Sequence, residues 1–130
     1  MAKKEKPVEQ RKHKRFRVKP GAVAVLTPRW PCSTPVGDIL DISISGLALR
    51  YVTDEARSST PSELTIVCAN PGFHLRQVPV NAVSDVEMAK TTFSSMVPRR
   101  LGLQFGELMP GQVSQLEYFI QNHTTGEVEQ

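Results

Sequence analysis

A chain of 130 residues, 39% hydrophobic and 22% charged, has room for one domain and can close an apolar core, which excludes wholesale disorder. Its formal net charge of +3 hides an asymmetry: residues 1–19 hold nine of the sixteen Lys and Arg and two of the thirteen Asp and Glu, a local +7, which leaves the rest of the chain at −4. A basic arm on an acidic body suits an anionic partner (a nucleic acid, a nucleotide or an acidic membrane surface) and argues against a long polyanion track over the body itself.

Residues 1–9 are polar and charged, without periodicity, and read as a flexible basic arm. No apolar run approaches the roughly 18–20 residues of a membrane span. The basic N-terminus also lacks the apolar stretch of a signal peptide. These features place the protein in the cytoplasm. Cys32 and Cys68 lie in separate segments with no C-x-x-C and no His cluster, so free thiols are the simplest reading and neither zinc nor a redox pair is suggested.

From Phe16 the pattern turns strand-like. Phe16 and Val18 alternate with Arg17 and Lys19, and Ala22 to Leu26 continues after Pro20-Gly21. Pro28 to Pro31 interrupts, with the single tryptophan, Trp30, expected to cap an end of the core. Val36 to Ile44 and Leu47 to Val52 are two strands joined near Gly46. Strict alternation directs Leu40, Ile42 and Ile44 to the core and Asp41, Ser43 and Ser45 outward. Residues 53–62 are a loop. Leu64, Ile66 and Cys68 mark the next strand, and Asn70-Pro71-Gly72 a turn. Phe73 to Val83 is a long strand whose phase changes, which calls for a bulge near Arg76-Gln77 and leaves Pro79 facing outward. Residues 89–98 read as a surface loop, and Leu101, Leu103 and Phe105 as the last strand. Pro110 opens an amphipathic helix with Val113, Leu116, Phe119 and Ile120 on its apolar stripe. Residues 123–130 read as a frayed tail. Six or so short strands followed by one helix favour a small antiparallel barrel.

No nucleophile elbow, zinc-protease helix, phosphate loop or dinucleotide fingerprint occurs. His13, His74 and His123 are scattered, and Asp38 and Asp41 fall on opposite faces of one strand. A catalytic constellation is absent, so the chain reads as a binding protein rather than an enzyme. Its binding chemistry lies in Arg11 and Arg15, four apart, whose planar donor forks match phosphate oxygens and guanine edges. Lys12, Lys14 and Arg17 add positive field. This segment runs directly into the first strand, beside the wall that carries Asp41 and Ser43.

The order Arg11-x-x-x-Arg15, a strand, and then Asp41-x-Ser43-x-x-Gly46 resembles the signature of the PilZ domain, a family of bacterial receptors for cyclic di-GMP. Arg15-Phe16-Arg17-Val18 and Arg100-Leu101-Gly102-Leu103-Gln104-Phe105 fit the same family, and the resemblance spans about Gln10 to Asn122. It implies an all-β fold with a C-terminal helix, a six-stranded antiparallel PilZ-type barrel over residues 10–122, with ligand on its outer wall under the N-terminal arm. It implies that Arg11 and Arg15 contact phosphates and bases, that Asp41 and Ser43 hydrogen-bond a guanine, and that Gly46 keeps the wall open. In the family the residue before the arginine motif influences how many ligands bind; here it is Gln10, which leaves one cyclic di-GMP and a stacked pair both open. A receptor of this kind orders its arm on binding and signals to a partner protein. The alternatives from other classes are a nucleic-acid-binding barrel, disfavoured by 6% aromatic content, and a degenerate PilZ domain that serves as a protein adaptor.

Overall fold

The computed structural model describes residues 13–27, 36–53, 62–69, 72–88 and 97–128. Trp30 and Cys32, singled out above, lie outside them. In chain order the elements are β1 (Phe16–Val18), β2 (Ala22–Thr27), β3 (Val36–Ile42), β4 (Gly46–Thr53), β5 (Glu63–Cys68), β6 (Phe73–Glu87), β7 (Val97–Phe105), helix α1 (Pro110–Asn122) and β8 (Thr124–Glu127).

Antiparallel pairing runs β2-β5-β6-β7-β4-β3, and β3 pairs back onto β2, so six strands close a barrel. Closure removes the open edges that would otherwise invite other chains. Inward side chains fill the barrel: Leu26, Ile42, Leu49, Leu64, Ile66, Leu75, Val78 and Leu101 are almost wholly buried. α1 covers the barrel with Leu116 and Phe119, both at 0% exposure, and Phe119 packs on Phe73 with ring centroids 5.3 Å apart. Pro110 occupies the first turn of the helix, where its missing N–H costs nothing. The Gln112 side-chain oxygen accepts from the Met109 N–H at 2.9 Å and so satisfies one donor that the helix start leaves without a partner. Among the described residues no helix is long and apolar enough to cross a membrane.

The expected bulge in β6 is present. Ile66 pairs with Leu75 and Leu64 with Val78, so Arg76 and Gln77 face a single partner residue. Gln77 takes a positive φ of 56°, which accommodates the extra residue. Pro79 lies on the outward phase, half-buried.

Three expectations need correction. The alternation assigned to β3 does not hold throughout. A register shift between Ile39 and Asp41 puts Ile39 in the core at 5% exposure and leaves Leu40 half-buried. Ile44 is 37% exposed because the strand ends at Ile42 and Ser43 to Gly46 form a tight turn, closed by the Ser43 N–H on the Gly46 carbonyl at 2.8 Å. A run of alternating residues cannot by itself reveal a bulge or a two-residue hairpin loop. Second, β6 continues to Glu87 and β7 begins at Val97, so Val97 and Pro98 belong to a strand and not to the 89–98 loop. β1 flanks the C-terminal half of β3, pairing Phe16 with Ile42 and Arg17 with Asp41. Third, the tail is not frayed over its described residues. Thr124–Glu127 form β8 against β1, and His123 is 6% exposed, stacked on Phe119 at 5.0 Å.

Candidate functional site

The outer wall of the barrel carries a row of cross-strand partners: Asp41 on β3, Ala48 on β4, Gly102 on β7 and Ser84 on β6. A second row pairs Gly46 with Gln104. These positions alternate with Ile42, Leu47, Leu49, Leu101 and Leu103, which point into the core, so they face outward. Gly46, Ala48 and Gly102 bring little or no side chain to this face; Ala48 is 2% exposed, and the Ser84 hydroxyl closes on Gly102. A cleft of about 650 Å³ lies over this face, lined by His13, Arg15, Ser43, Ser45, Val83, Ser84, Arg100 and Gln104.

Gly46 is fixed by packing. A Cβ there would run into the carbonyl oxygen of Leu103, with the Cα of Gln104 at 3.2 Å. What approaches the glycine closely is the neighbouring strand β7.

Asp41 is the electrostatic centre. Its side chain is 8% exposed, and both oxygens are engaged. Arg15 donates to Oδ1 from Nε at 2.9 Å and from Nη2 at 2.5 Å, while Arg100 donates to Oδ2 from Nη2 at 2.9 Å. Charge-assisted bonds of this kind fix orientation as well as charge. Asp41 is not itself part of the cleft lining; it lies beneath the arginines and aims them at the cleft. Two guanidinium groups against one carboxylate leave a net positive charge at the rim. A carboxylate offers about four acceptor sites; Arg15 and Arg100 take three here, and the fourth is on Oδ2.

Ser43 is 4% exposed. Its Oγ lies 3.0 Å from Ser45 Oγ and accepts from the Ser45 N–H at 3.1 Å, so the turn presents paired hydroxyls to the cleft. Ser45 is anchored through its carbonyl, which accepts from Phe105 N–H at 2.8 Å. The motif residues Asp41, Ser43 and Gly46 thus come from one hairpin, and Arg15 reaches them across the β1–β3 pairing.

The sequence-derived residues Arg15, Asp41, Ser43 and Gly46 are brought together. Lys14 is not with them: its Nζ points to Glu127 Oε1 of β8, 4.0 Å away, and it is 73% exposed. Gln10 and Arg11 lie outside the described residues. Arg100, His13, Ser45, Ser84 and Gln104 are rim groups that the motif reading did not assign. Arg100 and Gln104 were accessible in principle, since they share the outward phase of Arg100-Leu101-Gly102-Leu103-Gln104 with Gly102.

A second ionic cluster spans β4, β6 and β7. Tyr51 Oη donates to Asp85 Oδ2 at 2.9 Å, and Arg99 Nε donates to Asp85 Oδ1 at 2.8 Å. The hydrogen bond that Arg99 donates to Asp85 holds the Arg99 pKa above its ordinary value against partial desolvation. All three residues are internally satisfied, so this cluster fastens β4, β6 and β7 rather than offering a site. No group of three or more His, Cys, Asp or Glu suited to a metal ion occurs among the described residues.

The fold and the cleft together define a small β-barrel with a cationic, hydroxyl-lined site on its outside. The architecture is that of a PilZ domain. Among solved structures the chain matches the PilZ domain with c-di-GMP of YcgR from Escherichia coli, with a TM-score of 0.68 and 16% identity over 88% of this chain and 91% of that one. No protein-family model and no curated protein matches the sequence.

Proposed function

We propose that this protein is a cyclic di-GMP receptor: a non-enzymatic, cytoplasmic bacterial module that binds the dinucleotide in the cleft over Gly46, Ala48 and Gly102 and passes the signal to a partner protein. The observation that carries the reading is that Arg15, Ser43 and Gly46, from two separated stretches of sequence, line one cleft, with Asp41 accepting from the Arg15 guanidinium beside it. The solved PilZ domain of YcgR, which has this fold, holds c-di-GMP.

The chemistry is consistent. Small residues on the floor leave room for a planar base once the exposed Ser84 side chain turns aside. Ser43 and Ser45 offer hydroxyls to its edge, and Arg15 and Arg100 offer guanidinium forks to phosphate. Cyclic di-GMP carries two negative charges. The described rim supplies one net positive charge, and Arg11 would bring the second. Asp41 accepts a guanine N–H through its remaining site on Oδ2, or more fully if one arginine moves from carboxylate to phosphate. In the second case Asp41 acts as a pivot that hands a cation to the ligand.

Arg15 is already anchored without ligand, so the ordering step falls on the segment before it. Closing Arg11 over the cleft fixes a few backbone residues at about 1–2 kcal/mol each, which charge-assisted contacts of about 1.5–3 kcal/mol each can offset. The composite surface of arm, nucleotide and barrel is what a partner would read. The test is amide chemical-shift mapping with cyclic di-GMP. The expected result is shifts concentrated at residues 10–15, Ser43 to Ala48 and Arg100 to Gln104. Shifts confined to α1, or matched by single-stranded oligonucleotide at the same sites, would replace this reading with an adaptor or a nucleic-acid binder.

A further inference from the structure

We infer that the C-terminal strand β8 is a positioning strap for Arg15, so that ligand affinity and the pairing of the chain's end are one coupled equilibrium. β1 is three residues long, and it meets β3 in register at two positions, Phe16 with Ile42 and Arg17 with Asp41. So short a pairing is weak by itself. β8 supplies the second side. Phe16 pairs with Glu127, Arg17 with Gly126 and Val18 with Thr124, and the Val128 N–H donates to the carbonyl of Arg15 at 2.8 Å. The residue whose guanidinium grips Asp41 is thus held through its own backbone by the C-terminal segment.

The other end of β1 is tied down as well. The Lys19 N–H donates to the His123 carbonyl at 2.9 Å, and Lys19 Nζ reaches the Asn122 carbonyl at 3.3 Å. His123 is buried and stacked on Phe119, which roots the strap in α1. The path from the helix through β8 to Arg15 is antiparallel backbone pairing with one irregularity between Arg17 and Val18, fastened at its two ends by the Lys19–His123 and Val128–Arg15 hydrogen bonds. Anything that peels β8 away releases the main chain at Arg15 and blurs its aim at Asp41 and the cleft. By reciprocity, a ligand that engages Arg15 must tighten β8 by the factor that β8 contributes to affinity. The coupling to affinity rests on the nucleotide reading above; the coupling to Arg15 geometry does not.

Val128→Pro removes the single N–H that holds the Arg15 carbonyl and sits beyond the last paired residue. Three readouts are taken on the full chain: the melting transition, the slowly exchanging Nε–H resonance of Arg15, and the affinity for cyclic di-GMP. The expected result is a folded protein whose Arg15 Nε–H signal broadens or disappears and whose affinity falls about three- to tenfold, the worth of one backbone hydrogen bond. In the unsubstituted protein, saturating cyclic di-GMP slows exchange of the Val128 amide by a similar factor. An unchanged Arg15 Nε–H in the folded variant overturns the strap, and so does loss of that signal with affinity intact. If the variant does not fold, unchanged Val128 exchange on adding ligand overturns it. If the unsubstituted protein binds no cyclic di-GMP, the nucleotide reading fails instead, and the Arg15 signal alone decides the strap.

Discussion

Arg15 and Asp41, 26 residues apart in sequence, are joined by two hydrogen bonds to one carboxylate oxygen. The other oxygen belongs to Arg100. The shared carboxylate therefore does two jobs: it neutralises two cations that would otherwise repel, and it points them at the cleft. Asp41→Ala should lower stability by about 1–3 kcal/mol, the penalty for leaving partly buried charged donors unpaired, reduced by the exposure of the two arginines. The barrel stays folded because the side chain lies outside the core. Ile42→Asp, one residue on, puts a charge at a site with 0% exposure and should abolish folding. Urea titrations of the two variants check this, and equal losses would mean that the faces of β3 have been exchanged.

The glycines of the cleft separate packing from function. A methyl group at Gly46 meets the Leu103 carbonyl, main chain that cannot step aside. Gly46→Ala should cost about 2–4 kcal/mol, at or above the upper end for overpacking. At Gly102 the same methyl meets Ser84 Oγ at 2.5 Å, an exposed side chain that can rotate. Gly102→Ala should cost less than about 1 kcal/mol, yet raise the cleft floor and weaken nucleotide binding. Chemical denaturation ranks the two costs, and a titration of Gly102→Ala checks the loss of binding.

The cations should sort by position. Arg100→Ala removes a rim guanidinium and should weaken cyclic di-GMP binding by about one to two decades. Lys14→Ala removes a charge that faces Glu127 and should weaken it by less than about threefold through the general field alone. Calorimetry on both variants at one ionic strength gives the comparison. Comparable losses would mean that only net charge matters.

His123 is buried with Nε2 lacking a hydrogen-bond partner among the described residues, while Nδ1 lies 3.7 Å from Cys68 Sγ. Phenylalanine keeps the stacking on Phe119 and removes the desolvated nitrogen. His123→Phe should leave stability unchanged or raise it by up to about 1 kcal/mol, read from the melting temperature at pH 7.5.

The hairpin motif and the barrel were legible in the sequence because both rest on local patterns: alternation within β2, β5 and β7, turn residues between strands, and the Asp41-x-Ser43-x-x-Gly46 spacing. The exposure of Ile44 and the half-burial of Leu40 were not, because a bulge and a turn tip interrupt the period without changing residue types. β8 was not legible either. Thr124-Thr125-Gly126-Glu127 has no apolar face, and its pairing with β1 is a long-range relation that no window of sequence contains. Arg100 was overlooked for a similar reason, since its partner Asp41 is 59 residues away.

Calorimetric titration of the full chain with cyclic di-GMP, beside Arg15→Ala, tests the central claim most directly. Saturable binding by the unsubstituted protein, weakened by at least about tenfold in Arg15→Ala, is the predicted result. No binding by the unsubstituted protein, or equal affinity in the two, would contradict a nucleotide site built around Arg15 and Asp41.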